Sequence, residues 1–359
     1  MPVNEIAFNR VFTGDGETTM ARDRNLRLFL LLITVLLTPG LVRAQEGSLE
    51  QAKKEGKVVW YTAMALEIAE QLANSFEKTY GIKVEMTRSA SERVVARVLQ
   101  EAQAGINNVD IVEISEAGDF ALLKQKGLLR AYRPKNYERF PSTFLLDKDG
   151  YFHAWRATIA QPVYNTRLVP ASAVPKSWKD LLDPAWKDKQ LKVHYVSGAG
   201  TNVMAALTKI YGWDYYRSLR KNNPIIVQAA SQGVSVVAAG ERAILVEGNY
   251  YNTMRVKAKG NPVNVIFPSE GAVLVLSPAG IAQKAPRPNA AVFFLEYMFS
   301  EKTQQLLIDN TRLYVPHPNA KYPSDMPSLN QLKTLTVPVD ELVKRQREIK
   351  RMFTEIFGL

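Results

Sequence analysis

The feature that most constrains this chain is a repeated alternation of short apolar runs with helical patterns, beginning at Lys57. Lys57–Thr62 (Lys-Val-Val-Trp-Tyr-Thr) has the composition of a buried strand, and Leu66–Tyr80 places Leu66, Ala69, Leu72, Ala73 and Phe76 on one helical face. Gly81 stops that helix, and Ile82–Thr87 alternates as a second strand. Ser91–Gly105 is again helical, Asp110–Ile114 is a third strand, and Ala117–Lys126 is a third helix closed by Gly127. Strand–helix order of this kind predicts an α/β fold with a parallel sheet covered on both faces. Open sheets of that type take ligands at the carboxyl ends of their strands. Those ends supply Thr62, Ser89, Ser91, Ser115 and Glu116 as candidate binding residues, although each serine also suits a helix cap.

The first 44 residues stand apart. Leu28–Leu37 is an uncharged apolar run of ten residues preceded by Arg22, Arg24 and Arg27, followed by Pro39-Gly40 and the small-x-small site Val42-Arg43-Ala44. A membrane span needs roughly 20 apolar residues, so the pattern predicts a Sec-type signal peptide over residues 1–44, with Met20 an alternative start and Gln45 near the mature terminus. The expected location is the periplasm. The chain has no cysteine among its 359 residues, which excludes disulfides, thiolate metal sites, a cysteine nucleophile and the lipid anchor of a lipoprotein.

The formal net charge is +11, from 46 Lys plus Arg against 35 Asp plus Glu, and the leader accounts for only +1 of it. The densest basic run, Lys344-Arg345-Gln346-Arg347 with Lys350-Arg351, falls in an amphipathic helix predicted over Val339–Phe357. Its charges are expected on a solvated face, with no nucleic-acid partner.

A second unit follows. Tyr151–Val163 is an extended crossing segment, Trp178–Leu182 a short helix, and Leu191–Val196 a strand that runs into Ser197-Gly198-Ala199-Gly200-Thr201 and a helix over Asn202–Tyr211. A glycine-rich turn opening a helix offers free N–H groups to an anion, or simply caps the helix. Ala243–Val246 is a strand ending in Glu247-Gly248-Asn249-Tyr250-Tyr251, and Val263–Phe267 and Gly271–Leu276 are strands returning the chain to the first unit. Adjacent tyrosines offer phenol oxygens to Fe(III) or faces and donors to an organic solute, or place one ring in the core and one at the surface.

These residues resemble the periplasmic solute-binding proteins of ABC importers, within the branch of ferric-iron-binding proteins. The resemblance is carried by Gly-Ile-Lys-Val at 81–84, the Asp110-Ile-Val to Ser115-Glu116 strand end, Ser197-Gly198-Ala199 and Asn249-Tyr250-Tyr251. Lys257-Ala-Lys-Gly-Asn-Pro-Val263, Pro268-Ser-Glu-Gly271 and Ala285-Pro-Arg-Pro-Asn-Ala-Ala291 carry it further. It implies a two-lobed type II periplasmic-binding fold, each lobe a mostly parallel sheet flanked by helices, with the ligand cleft between lobes. Residues 45–157 with 268–320 would form the first lobe, 158–267 the second, and 321–359 a C-terminal helical segment packing on both. The lobes would close about hinges near Ala157–Val163 and Phe267–Val275, and the closed form would dock on an inner-membrane permease. The expected state is a monomer.

The resemblance also implies Tyr250 and Tyr251 as an iron-ligand pair with Glu116 as a carboxylate. Ser197, Gly198, Ala199 and Thr201 would form an anion-holding loop, and Thr62, Ser89, Ser91, Ser115 and Asn249 would line the cleft. Two departures stand out: Ala65 or a neighbour replaces the histidine some members supply after the first strand, and Gly200 occupies the place of a further tyrosine. The implied cargo is Fe(III) with a synergistic anion, or alternatively a small organic or phosphorylated anion; no catalytic cofactor is implied. The chain is not expected to be an enzyme, since the three histidines His153, His194 and His317 form no recognisable catalytic spacing; an exported hydrolase is the remaining alternative.

Overall fold

The computed structural model of the chain describes residues 48–194 and 198–358. The predicted leader and Ser197 lie outside the described residues. Helices α1 (Leu49–Glu55), α2 (Leu66–Tyr80), α3 (Ser91–Gln103) and α4 (Ala117–Gln125) alternate with strands β1 (Lys57–Thr62), β2 (Lys83–Arg88), β3 (Ile111–Glu113) and β4 (Leu129–Arg130). After β5 (His153–Asn165) and β6 (Gln190–Val193) come α5 (Gly198–Tyr211), α6 (Asp214–Lys221), β7 (Ile225–Val227), α7 (Ala230–Ala239), β8 (Ile244–Asn249) and α8 (Tyr250–Ala258). The chain ends with β9 (Val263–Val265), β10 (Ala272–Ala282), α9 (Pro288–Phe299), α10 (Glu301–Thr311), β11 (Thr334–Leu335) and α11 (Val339–Phe357).

The sheet is mixed, with the mostly parallel set expected of each half and two antiparallel strands between them. Its order is β2-β1-β3-β10-β5-β8-β6-β7. β1 is parallel to β2 and β3, and β6 is parallel to β7 and β8, giving a parallel set at each end. Between them β10 and β5 run antiparallel to each other and to β3 and β8, so two long crossing strands carry the sheet from one half to the other, and β11 adds to β10 in parallel. A parallel connection needs a crossover helix, whereas these strands arrive from distant parts of the chain and pair directly.

Local chemistry explains the elements. Leu72, Ala73 and Phe76 bury one face of α2, and Gly81 closes it at φ 70°, a left-handed conformation that glycine adopts freely. Phe76 meets Phe294 and Tyr297 edge-on at centroid distances of 5.0 and 5.2 Å, fixing α2 against α9. Each such buried ring contributes roughly 1.5–3 kcal/mol.

Several boundaries move. The strand expected over Ala243–Val246 runs on to Asn249, because Glu247 is held by Lys192 Nζ at 2.8 Å and by the Val193 amide at 3.1 Å. The tyrosines therefore open α8 instead of following a loop. Gly248 sits beside the register shift between β5 and β8, where a Cβ would stand 2.2 Å from Val163 Cγ2; only glycine lets the strands approach there. β6 stops at Val193, short of the expected Val196, and β10 extends to Ala282, beyond the expected Leu276. The helix expected at Trp178–Leu182 is a 3-10 turn over Lys179–Leu182. Helix α11 spans the predicted residues, with Leu342, Ile349, Met352, Phe353 and Phe357 buried. Arg345 departs from the solvated basic face, donating to Ala205 O at 2.9 Å and Thr208 Oγ1 at 2.6 Å.

Candidate ligand-binding site

The carboxyl ends of the first parallel set are tied to one another. Thr62 is fully buried; its Oγ1 donates to Glu113 Oε2 at 2.5 Å and accepts from the Met64 amide at 3.0 Å. Ser91 Oγ accepts from the Ser115 amide at 3.2 Å, and the Ser89 amide donates to Thr62 O. Thr62 and Ser91 thus brace neighbouring turns. Glu113, which sequence reasoning passed over, is the hub: it also accepts from Arg156 Nη2 at 2.6 Å and from the Ala63 amide at 3.2 Å. That ion pair joins β3 to the crossing strand β5.

Glu116, just before α4, is 8% exposed, and among the described residues its Oε1 has no hydrogen-bond partner. Burial, and then the Asp119 carboxylate, push its pKa well above the usual range. It shares a cavity of about 270 Å³ with Glu92 and Asp119 from the first half, Thr201 from the second, and Gln346, Ile349 and Lys350 of α11. Thr201 lies in the first turn of α5, the helix that Gly198 and Ala199 begin. The structure thus brings Glu116 and Thr201 together across the two halves.

It does not bring the tyrosines to them. Side chains alternate between faces along a strand. Tyr250, 2% exposed, clusters with Ala157 and Ile159 of β5 and Ala272 and Leu274 of β10. The intervening Ala160, Val273 and Val275 cluster instead with Ile349, which lines the Glu116 cavity. Tyr250 and that cavity therefore lie on opposite faces of the crossing strands. Burial raises the Tyr250 phenol pKa, with Arg312 opposing the rise. Tyr251 opens on a separate cavity of about 210 Å³ with Glu67, Gln71, Arg255 and Asn310, where Arg255 and Glu67 pair at 3.4 Å.

The face of the crossing strands beneath α11 carries Asn249, expected from the sequence, together with Arg156, Thr158 and Ser277, which the sequence reading missed. Ser277 stands opposite Arg156, Thr158 opposite Val275, and Asn249 opposite Ala160. Among the described residues Arg156 Nε, Thr158 Oγ1, Ser277 Oγ and Asn249 Oδ1 are buried without a hydrogen-bond partner. Leaving such groups unpaired costs about 1–3 kcal/mol each, so the row calls for polar partners, water or a solute. The sequence signal was there: Arg156 and Thr158 interrupt the apolar run Ala154–Ala160 at a spacing of two, which points both to one face.

The histidines serve the framework. His153 is buried, its Nε2 2.7 Å from Tyr132 O; His317 Nδ1 accepts from the Asn319 amide at 3.3 Å; and the His194 ring packs on Phe353 at 4.8 Å. Among the described residues no group of three or more His, Cys, Asp or Glu side chains is placed to hold a metal ion, and no helix is long and apolar enough to cross a membrane.

Residues 108–339 match the profile of a family described as bacterial extracellular solute-binding protein. Iron uptake protein A2 of Synechocystis sp. is 24% identical over 301 residues, which cover 76% of this chain and 83% of that protein. The structure of the periplasmic binding protein AfuA from Actinobacillus pleuropneumoniae, with fructose-6-phosphate bound, superposes at a TM-score of 0.76 with 20% identity, over 85% of this chain and 99% of the other. Iron-bound HitA from Pseudomonas aeruginosa also gives 0.76, with 19% identity over 84% of this chain and 99% of its own. At these identities the structural likeness speaks for the fold, that of the type II periplasmic-binding proteins.

Proposed function

Since the chain belongs to the family of bacterial extracellular solute-binding proteins, we propose that it is the periplasmic receptor of an ABC importer. In this role a monomer traps solute between two halves hinged on β5 and β10 and passes it to an inner-membrane permease. A solute drives closure through its extra affinity for the closed form, where it touches both halves. The cargo the geometry supports best is a small organic or phosphorylated anion bearing hydroxyl groups. The observation that carries this reading is a row of buried polar atoms without a partner among the described residues, Thr158 Oγ1, Ser277 Oγ, Asn249 Oδ1 and the Nε of Arg156 (whose Nη2 is held by Glu113), on the face where Glu116 and Thr201 share a cavity. Arg156 supplies positive charge, the hydroxyls and amide read polar substituents, and the turn before Thr201 offers backbone donors. AfuA, seen with a sugar phosphate, fits this reading.

A second reading, Fe(III) as cargo, is favoured by Tyr251 and Glu67 lining one cavity, a hard-oxygen pair with Tyr250 adjacent in sequence. Iron uptake protein A2 and HitA fit it. One experiment separates the two. Protein freed of solute is screened by thermal shift against sugar phosphates and inorganic phosphate, and by visible spectroscopy against ferric citrate. The organic-anion reading expects stabilisation by a sugar phosphate that weakens about tenfold in affinity in Thr158→Val with Ser277→Ala. Those substitutions remove hydroxyls that have no protein partner, so the melting temperature without solute should hold. A visible tyrosinate-to-iron band, lost in Tyr250→Phe with Tyr251→Phe and accompanied by no response to any sugar phosphate, would replace this reading with the ferric one.

A further inference from the structure

The family match covers residues 108–339, and α11 begins at its edge, at Val339. The helix is anchored on the second half. Phe353 and Phe357 bury in one cluster with Trp178, Val203 and Tyr216; Arg345 bonds α5; and Glu348 accepts from Trp213 Nε1 at 2.7 Å. Yet it also reaches the first half. Leu342 lies against Gly118, and Gln346 Nε2 donates to Asp119 Oδ1 at 2.9 Å. Both contacts fall in the first turn of α4, directly after Glu116, and the helix between them forms a wall of the cavity that holds Glu116 and Thr201.

The two attachments are unequal. Toward the second half the helix buries aromatic rings and bonds through Arg345 and Glu348; toward the first it lays aliphatic side chains, Leu342 on Gly118 and Val339 on the Phe120 cluster, and makes one hydrogen bond from the exposed Gln346. We propose that α11 is a clasp, fixed on the second half and hooked releasably on Gly118 and Asp119, whose release governs opening of the cavity beneath it. The absence of a side chain at Gly118 is what lets the hook seat: an added Cβ would stand 3.5 Å from Leu342 Cβ, a normal contact, but any branch beyond it would meet the α11 backbone, whose Val343 N is at 3.6 Å. This inference rests on reading the cavity as the solute site, and the test below is made without solute so that the two can fail separately.

The chain contains no cysteine, so a Gly118→Cys, Leu342→Cys pair has only itself to oxidise with, and a 3.5 Å Cβ separation suits a disulfide. Hydrogen exchange of the amides in the first turns of α4 and α5 is followed in the solute-free protein. Oxidation of the pair should slow exchange there at least tenfold, and reduction should restore it. Gly118→Val should wedge the hook apart and speed the same exchange about tenfold with near-ultraviolet circular dichroism retained, while Gly118→Ala should match the parent. Equal exchange in the oxidised and reduced pair overturns the clasp, and so does a folded Gly118→Val that exchanges like the parent. If Gly118→Val fails to fold, the disulfide arm alone decides. Loss of sugar-phosphate binding with the exchange results intact would instead remove the site reading and leave the clasp standing.

Discussion

His153 is the residue whose surroundings most clearly set a pH dependence. Its Nε2 donates to Tyr132 O, its Nδ1 is buried without a partner, and burial lowers its pKa to about 4. Protonation would place a charge in a buried site, which the backbone groups of Tyr132 and Gly150 offset only in part. The folded pKa lies below the ordinary 6.5, so the stabilisation is complete above that value and is lost as pH falls from about 6.5 to about 4. The full loss is about 3 kcal/mol at one pKa unit per 1.36 kcal/mol. Urea unfolding at pH 7 and pH 4.5 should show a smaller difference for His153→Gln than for the parent; an unchanged difference would remove His153 as the cause. The type of residue was plain in the sequence. Its burial was not, because it depends on Tyr137 and Phe299, distant in the chain, packing over the ring at 4.7 and 6.2 Å.

Among elements, the pairing of β6 with β8 rests on an ion pair in the interior. Lys192 Nζ and Glu247 Oε1 are 2.7 Å apart, and both side chains are fully buried. Burial pushes the lysine pKa down and the glutamate up, and each opposes that drift in the other. Breaking such a pair is more costly than replacing it. Glu247→Gln should destabilise by about 3–5 kcal/mol in urea unfolding, while Lys192→Met with Glu247→Leu should come within about 1 kcal/mol of the parent. A single variant as stable as the double one would show that the charges are not coupled. Elements of this kind also mark where sequence reasoning reaches and stops. The helices and the outer parallel strands were legible because each buries its own periodic apolar face, as α2 and β1 do. The crossing strands were legible as extended segments, but their antiparallel pairing was not, since β5 and β10 meet across more than a hundred residues. The binding candidates divide the same way. Glu116, Thr201 and Asn249 sit at strand and helix ends that the alternation locates, whereas Ser277 acquires meaning only through its register against β5.

For the whole molecule, the continuity of the sheet predicts cooperative unfolding. Cores on both faces share strands β5 and β10, so neither half keeps a complete interior when the other melts. Scanning calorimetry should give one transition with equal calorimetric and van't Hoff enthalpies, and two resolved transitions would show that the halves unfold alone. The same crossing strands have a mechanical consequence. Pairing is irregular at Ser277/Pro278, between β10 and β5, and at Gln161/Val163, between β5 and β8. A ribbon of hydrogen-bonded strands resists stretching but yields to twist, and it yields first where pairing is already broken. Were one half to turn against the other in the proposed closure, twist would fall first on these two joints, which bracket Thr158, and Thr158 would lie between them near the axis, where displacement is least.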